Sequence, residues 1–102
     1  MSKRATRRSD VQEKVKRGAE FLDEREPGWI KRIDLKKLDM LSPATCILGQ
    51  LQGSYAKGLV YYDLYQLLYL YGFDAAISAL GEFSDLTRMW RREIKQRLLT
   101  ST

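Results

Sequence analysis

The sequence predicts an all-α protein, a compact bundle of about five helices of which several are short. Three observations support this fold class. Apolar residues recur at intervals of three and four over much of the 102-residue chain, and cap-forming residues stand at the expected helix ends. The alternation typical of β-strands is absent, apart from the aromatic richness of residues 61–71. A chain this short has room for one hydrophobic core, so residues 10–102 are expected to form a single domain.

Residues 1–9 are expected to form a flexible basic arm ahead of this domain. After Met1 they contain no large apolar side chain. Burial therefore cannot offset the roughly 1–2 kcal/mol per residue that ordering the backbone costs. The four cations of the arm are Lys3, Arg4, Arg7 and Arg8.

The first helix is predicted over residues 10–25. Ser9 and Gln12 have the spacing of a capping box, which satisfies free backbone N–H groups of the first turn. Pro27 and Gly28 end the helix. One helical face carries its apolar and small residues, which are Val11, Val15, Gly18, Ala19 and Leu22.

The next segments are shorter. Residues 29–40 are expected to form one or two helical turns with an apolar inner side. Ser42 as N-cap and Pro43 at the first helical position predict a helix over residues 43–52, which Gly53 ends in a left-handed conformation.

Three further helices complete the prediction. They cover residues 59–71, closed by Gly72, residues 75–80, capped by Asp74, and residues 85–99, which follow Ser84. The expected core consists of Val15, Leu22, Trp29, Ile33, Leu38, Ile47, Leu48, Leu51, Leu64, Leu68, Trp90 and Ile94.

The composition excludes most catalytic chemistry. The chain has no histidine, which is the commonest general base and metal ligand. Its one cysteine, Cys46, lies in an apolar segment and is expected to be a core residue. Glycine-rich phosphate-binding loops are absent. We therefore expect a protein that is not an enzyme and has no catalytic residues, no metal and no cofactor.

The sequence also predicts a cytoplasmic protein with no membrane partner. No apolar run reaches the roughly 18 residues that a membrane span requires. The basic N-terminus lacks the apolar stretch that follows in a secretory signal. A lone cysteine agrees with a reducing compartment.

The last helix carries the sharpest functional pattern. Four cations at the spacing i, i+3, i+4, i+7 form one exposed stripe; they are Arg88, Arg91, Arg92 and Lys95. Like charges at this spacing repel and do not serve folding, so the phosphates of a nucleic acid or a nucleoprotein are a fitting partner. The alternative is a solvated face, made basic by the preference for cations near helix C-termini.

The arm offers a second basic element. Its four cations resemble the groove-tracking arms of DNA-binding proteins, although a solubilising tail has the same composition. Further cations lie between the arm and the last helix, at Lys31, Arg32, Lys36 and Lys37. All of these form one nucleic-acid footprint only if the fold brings them to the same side.

The stretch 59–71 suggests a different partner. Tyr61, Tyr65 and Tyr69 follow the spacing i, i+4, i+8 and would form a row beside an apolar stripe. Such a row belongs to the core or forms an interface with another protein or a second copy of the chain. It can also stack on bases. As an interface, it requires exposed tyrosines in the monomer.

A helix-turn-helix is the less favoured interpretation of residues 45–64. The template places Gly49 and Gly53 correctly but puts the polar Gln52 and Ser54 at positions that are normally buried. An ordinary corner between two helices fits better.

Several short motifs combine into a pattern. They are GAEFLDE at residues 18–24, PGW at 27–29, IDL at 33–35, CILGQL at 46–51, GSY at 53–55 and GFD at 72–74, with a closing segment that contains Trp90 and Ile94. This pattern, over about residues 18–95, resembles small proteins of actinobacterial, mycobacterial-type tailed phages, a family without an assigned activity. The resemblance implies an accessory protein in the cytoplasm of a bacterial host and assigns no functional residue. Residues 75–83 depart from the pattern, since this stretch is longer and more apolar than the pattern implies.

The leading hypothesis is therefore a phage accessory protein that binds nucleic acid or a nucleoprotein through the arm and the basic stripe. The alternative is a protein-interaction module that uses the three tyrosines to bind a host protein, a phage protein or a second copy of the chain.

Overall fold

The structure is a computed structural model that describes residues 3–75 and 81–100, with residues 3–9 as backbone only. Within these ranges the chain is helical and has no strand, which confirms the all-α class. The described residues contain four α-helices and one 3-10 helix, so the expected count of about five α-helices is not confirmed. They are α1 (Lys3–Arg25), the 3-10 helix (Trp29–Arg32), α2 (Ile47–Gln52), α3 (Tyr55–Tyr62) and α4 (Glu82–Thr100). The helical turn expected at 75–80 lies, beyond Ala75, outside the described residues.

The first helix starts earlier than expected. It begins at Lys3 rather than at residue 10 and runs for 23 residues, so the flexible arm is not confirmed. No glycine or proline lies between Lys3 and Arg17, and alanine and arginine are strong helix formers. Ser9 is consequently an interior residue of α1 and does not cap it.

Helices α1 and α4 lie side by side and run in the same direction. Near the start of α4, Lys14 Nζ is 3.5 Å from Glu82 Oε1. Near its end, Arg97 Nη1 donates to Asp23 Oδ2 at 2.5 Å. Contacts made in the same order along both helices define a parallel pair.

Trp90 occupies the centre of the core and is fully buried. Its ring stacks on Phe73, with centroids 5.4 Å apart, and meets Trp29 edge to face at 5.8 Å. Its indole N–H donates to the carbonyl of Gly72 at 2.7 Å. The helix α4, the 3-10 helix and the turn at residues 72–73 therefore meet on this one side chain.

The helix expected at 59–71 is interrupted. Helix α3 ends at Tyr62 because Asp63 adopts the left-handed conformation, with φ 55° and ψ 53°. The Leu64 N–H then reaches back to the Leu59 carbonyl at 3.0 Å, the closure of a Schellman motif. Asp is tolerated there because its short polar side chain lowers the cost of a positive φ.

The segment after α3 consists of turns and ends in a second closure of the same kind. Gly72 has φ 71°, and the Phe73 N–H donates to the Leu68 carbonyl at 2.9 Å. A side chain at position 72 would come within 3.0 Å of the Val15 backbone, so the turn can lie against α1 only with glycine there.

Helix α2 is shorter than expected. It begins at Ile47 instead of residue 43, because Cys46 is extended and acts as the N-cap, its Sγ accepting the Gly49 N–H at 3.3 Å. The carbonyl of Pro43 bonds instead to the Tyr55 N–H at 2.7 Å. Residues 43–45 therefore form a turn that leads into the helix.

The predicted core is confirmed. All twelve residues are buried, and Leu22, Ile47, Leu48, Leu64, Trp90 and Ile94 are completely so. Helix α4 begins three residues before the expected start, with Ser84 inside it. In the described ranges, no helix has the length and apolar character needed to cross a membrane.

Replacing Gly18 by alanine should destabilise the protein. The new methyl would lie 2.1 Å from the Tyr71 carbonyl oxygen and 2.9 Å from the Trp90 ring, so α1 must move away from the core. We expect the free energy of unfolding in urea to fall by about 1–3 kcal/mol, despite the higher helix propensity of alanine. The exposed Glu20→Ala on the same helix should change it by less than about 0.5 kcal/mol. A Gly18→Ala variant as stable as the wild type would contradict this packing.

Candidate nucleic-acid interface

An open groove of about 1100 Å³ runs along α4. One wall is α4 and the other is the segment 36–41 that follows the 3-10 helix. Six cations and a single carboxylate, that of Asp39, line it. The cations are Lys36, Lys37, Arg88, Arg91, Arg92 and Lys95, and we call this the basic groove.

Two contacts attach the segment 36–41 to α4. The Thr87 hydroxyl accepts the Met40 N–H at 2.8 Å. Arg91 donates from Nε to the Leu35 carbonyl at 3.2 Å and from Nη2 to the Leu38 carbonyl at 3.1 Å. The groove therefore has a wall that is hydrogen-bonded to the helix it faces.

Arg91 corrects one part of the sequence prediction. It was expected on the exposed stripe as a nucleic-acid-binding residue, but it is half-buried and its guanidinium is occupied by two carbonyls. On α4 its position is the nearest of the four to the buried Ile94 side, at about 100° per residue. Arg91 thus shapes the basic groove more than it adds free charge.

The other three residues of the stripe are exposed as expected. Arg88, Arg92 and Lys95 form no ion pair or side-chain hydrogen bond with any part of the chain that the structure describes. Their charges are free to meet an anion from solution.

The sequence placed Lys36 and Lys37 only in a footprint that depended on the fold. Both are exposed and line the basic groove opposite the stripe. Their charge was visible in the sequence, but their position depends on the Arg91 contacts, which join residues more than fifty positions apart. Local spacing gives no signal for such a contact.

Helix α1 packs on the side of α4 that faces away from this groove. Helix α4 faces α1 with Glu82, Trp90 and Arg97, whereas Arg88, Arg92 and Lys95 lie roughly opposite on the helical wheel. The described part of α1 therefore gives no support to a footprint with arm and stripe on one side, which the sequence had left dependent on the fold. The side chains of Lys3, Arg4, Arg7 and Arg8 lie outside the described residues.

The two cations of the 3-10 helix, Lys31 and Arg32, do not line the basic groove, and Arg32 is engaged elsewhere. Arg32 pairs with Glu26 at 2.7 Å and also donates to the Leu51 carbonyl at 2.8 Å. Asp23, which lies near Glu26 at the end of α1, pairs with Arg97 and also accepts the Trp29 indole N–H at 2.9 Å. These acidic residues therefore do not neutralise the basic groove.

The three tyrosines are exposed, which confirms the condition set for an interface. Tyr61, Tyr65 and Tyr69 have relative exposures of 64%, 60% and 51%. They do not form the expected row on one helix, because α3 ends at Tyr62 and the other two lie in the turns that follow. Only Tyr61 lines a shallow groove of about 490 Å³ on α3, together with Val60 and Lys57.

A small polar cluster lies beside the basic groove. The Tyr55 hydroxyl donates a short hydrogen bond to the Asp74 carboxylate at a cavity of about 120 Å³. Burial, reinforced by the nearby Asp74 charge, raises the pKa of Tyr55 far above its ordinary value. Burial also raises the pKa of the Cys46 thiol, which lines the same cavity, so the thiol form persists. No cluster of three or more residues able to bind a metal is found among the described side chains.

Comparison of the chain with protein-family models, curated protein sequences and solved structures finds no match. The resemblance to phage accessory proteins therefore stays a prediction, and the geometry and charge of the chain carry the functional proposal.

Replacing Arg91 by lysine should loosen the wall of the basic groove while keeping the charge. An ammonium group cannot reproduce the two bonds that the guanidinium fork makes to Leu35 and Leu38. We expect the free energy of unfolding to fall by about 1.5–3 kcal/mol and amide hydrogen exchange at residues 36–38 to accelerate. The control Arg92→Lys, at an exposed position, should change neither. Equal behaviour of the two variants would show that Arg91 does not hold this wall.

The free energy of unfolding should decline at alkaline pH because of the ionisation of Tyr55. Since its folded pKa is raised, stability from the protonated hydroxyl is complete below the ordinary tyrosine value of about 10 and is lost as the pH rises further. Tyr55→Phe should lower the free energy of unfolding at neutral pH, because Asp74 loses a donor. The free energy of unfolding of this variant should, however, decline less than that of the wild type between about pH 9 and 11. Some decline should persist, since the pKa values of Cys46 and Tyr62 are also raised. The exposed Tyr61→Phe serves as control. An unchanged alkaline slope in Tyr55→Phe would refute this assignment.

Proposed function

We propose that this chain binds nucleic acid, alone or within a nucleoprotein, through the basic groove, and that it acts by binding and not as an enzyme. The phage resemblance adds an accessory role in the cytoplasm of a bacterial host. The observation that carries the proposal is the convergence of Lys36 and Lys37 with Arg88, Arg92 and Lys95 on one groove.

The charge balance of the groove supports a polyanionic partner. Six cations face one carboxylate, and the Asp39 carboxylate is itself engaged by the Leu41 N–H at 3.0 Å. The five exposed cations among them repel one another, whereas Arg91 is bonded to the backbone. A chain of phosphates would relieve that repulsion at several positions together, and it would release its own counterions.

The three exposed tyrosines support a second candidate function. With Val60 and Leu70 they are large apolar or aromatic side chains that face solvent, as anchors of a protein interface do. The partner in this case is a host protein, a phage protein or a second copy of the chain.

A charge-matched pair of variants tests the groove. Arg88→Gln/Arg92→Gln/Lys95→Gln removes three groove cations, whereas Lys16→Gln/Lys31→Gln/Lys57→Gln removes three exposed cations elsewhere. In mobility-shift titrations from about 50 mM salt upward, the groove variant should weaken binding and flatten the slope of log K against log salt by about 2 to 3. Both variants should fold, because exposed cations contribute within about 0.5 kcal/mol each.

The same titration decides between the two candidate functions. The control variant and Tyr61→Ser/Tyr65→Ser/Tyr69→Ser should bind oligonucleotide like the wild type. If the wild type does not bind at about 50 mM salt, or if the groove variant binds equally well, the nucleic-acid proposal fails. Loss of self-association or of a protein complex in the tyrosine variant would then favour the interaction module.

A further inference from the structure

We propose that the basic groove takes single-stranded nucleic acid in preference to duplex, with little sequence selectivity. This inference rests on the proposed function and names the form of its ligand. It comes from the apolar side chains among the cations and from the concave shape of the site.

Apolar surface is mixed with the positive charge. Leu41 and Leu99 line the groove and have relative exposures of 63% and 80%. Leu99 lies seven residues after Arg92 and four after Lys95, so it shares the helical face of the cations. Phe83, half-buried, also contributes to the lining.

This mixture fits a strand whose bases are accessible. A duplex presents mainly phosphates to the surface of a protein, and phosphates placed against Leu41 and Leu99 would lose water without gaining a partner. A single strand offers phosphates to the cations and unpaired base faces to the leucines, the phenylalanine and the arginine planes.

The shape of the site points the same way. A helix that reads duplex DNA must protrude in order to enter the major groove, which is about 12 Å wide. The stripe of α4 is instead flanked by the segment 36–41, which Thr87 and Arg91 hold against the helix. Helix α4 therefore forms one wall of the basic groove, and the part of the helix that lines it, from Ser84 to Leu99, is about 22 Å long at 1.5 Å per residue.

Groups that can read base edges are scarce in the basic groove. Apart from the cations, its polar lining consists of Asp39, Ser84, Thr87 and Gln96. Thr87 is already bonded to Met40 and Phe83, and Asp39 to Leu41. With the exposed cations engaged by phosphates, few donors and acceptors remain for base edges, so stacking and charge determine binding.

The test measures binding to the full chain by fluorescence anisotropy. The ligands are labelled oligothymidylate of 20 nucleotides, which is longer than the basic groove, and a mixed-sequence duplex of the same length. At about 50 mM salt we expect at least tenfold tighter binding of the single strand. Its slope of log K against log salt should be near −3.5 if the five exposed cations each meet a phosphate, at about 0.7 per contact. A mixed-sequence single strand without self-complementarity should bind within a few-fold of oligothymidylate.

A matched pair of variants tests the apolar contribution. Leu41→Ser/Leu99→Ser should weaken single-strand binding by about tenfold or more and leave the salt slope unchanged, because apolar contact is lost and phosphate contact is not. Val60→Ser/Leu70→Ser removes exposed apolar side chains outside the groove and should have no effect.

The outcomes separate this inference from the proposed function. If neither oligonucleotide binds, the proposed function fails, and this inference with it. If the duplex binds as tightly as the single strand, or if Leu41→Ser/Leu99→Ser leaves single-strand affinity intact, the single-strand inference is overturned while the basic groove remains a nucleic-acid site. The wild-type comparison decides the preference even if the leucine variant fails to fold.

Discussion

The burial of Trp90 is the constraint on which the other arrangements depend. Its ring needs a flat partner, an edge partner and an acceptor for its N–H, and these come from Phe73, Trp29 and the Gly72 carbonyl. The space for it exists because Gly18 of α1 has no side chain. One aromatic group thus fixes the distance between α1 and α4 and the position of the turn that lies over them.

The orientation of Trp90 also determines what α4 shows to solvent. With Trp90 turned toward α1, the residues half a turn away face outward, and these carry Arg88, Arg92 and Lys95. The wall that converts this charged face into a groove is attached separately, through Thr87 and Arg91. The mutual repulsion of the cations is tolerated because stability comes from the apolar side of the same helix.

The sequence was sufficient to predict what depends on periodicity. The all-α class, the core and the apolar face of α4 follow from residues such as Leu86, Trp90 and Ile94 at helical spacing. It was insufficient where the backbone conformation of one residue ends a helix, as at Asp63, because the sequence does not distinguish a left-handed aspartate from a helical one. It failed also for contacts between distant segments: the Arg91 bonds to Leu35 and Leu38 engage one predicted ligand-binding cation with the backbone and place two lysines opposite the stripe.

The parallel arrangement of α1 and α4 has a consequence for how the chain folds. Two neighbouring helices that run in the same direction cannot form a local hairpin, so the residues between them must return the chain to its starting end. The Arg97–Asp23 contact spans 74 positions, and the Trp90–Gly72 bond within the core spans 18. Such sequence separation raises the contact order above that of an up-and-down bundle, in which neighbours are consecutive. The chain must therefore close a large loop before its central pair of helices is stabilised, and it should fold more slowly than its helical content alone implies.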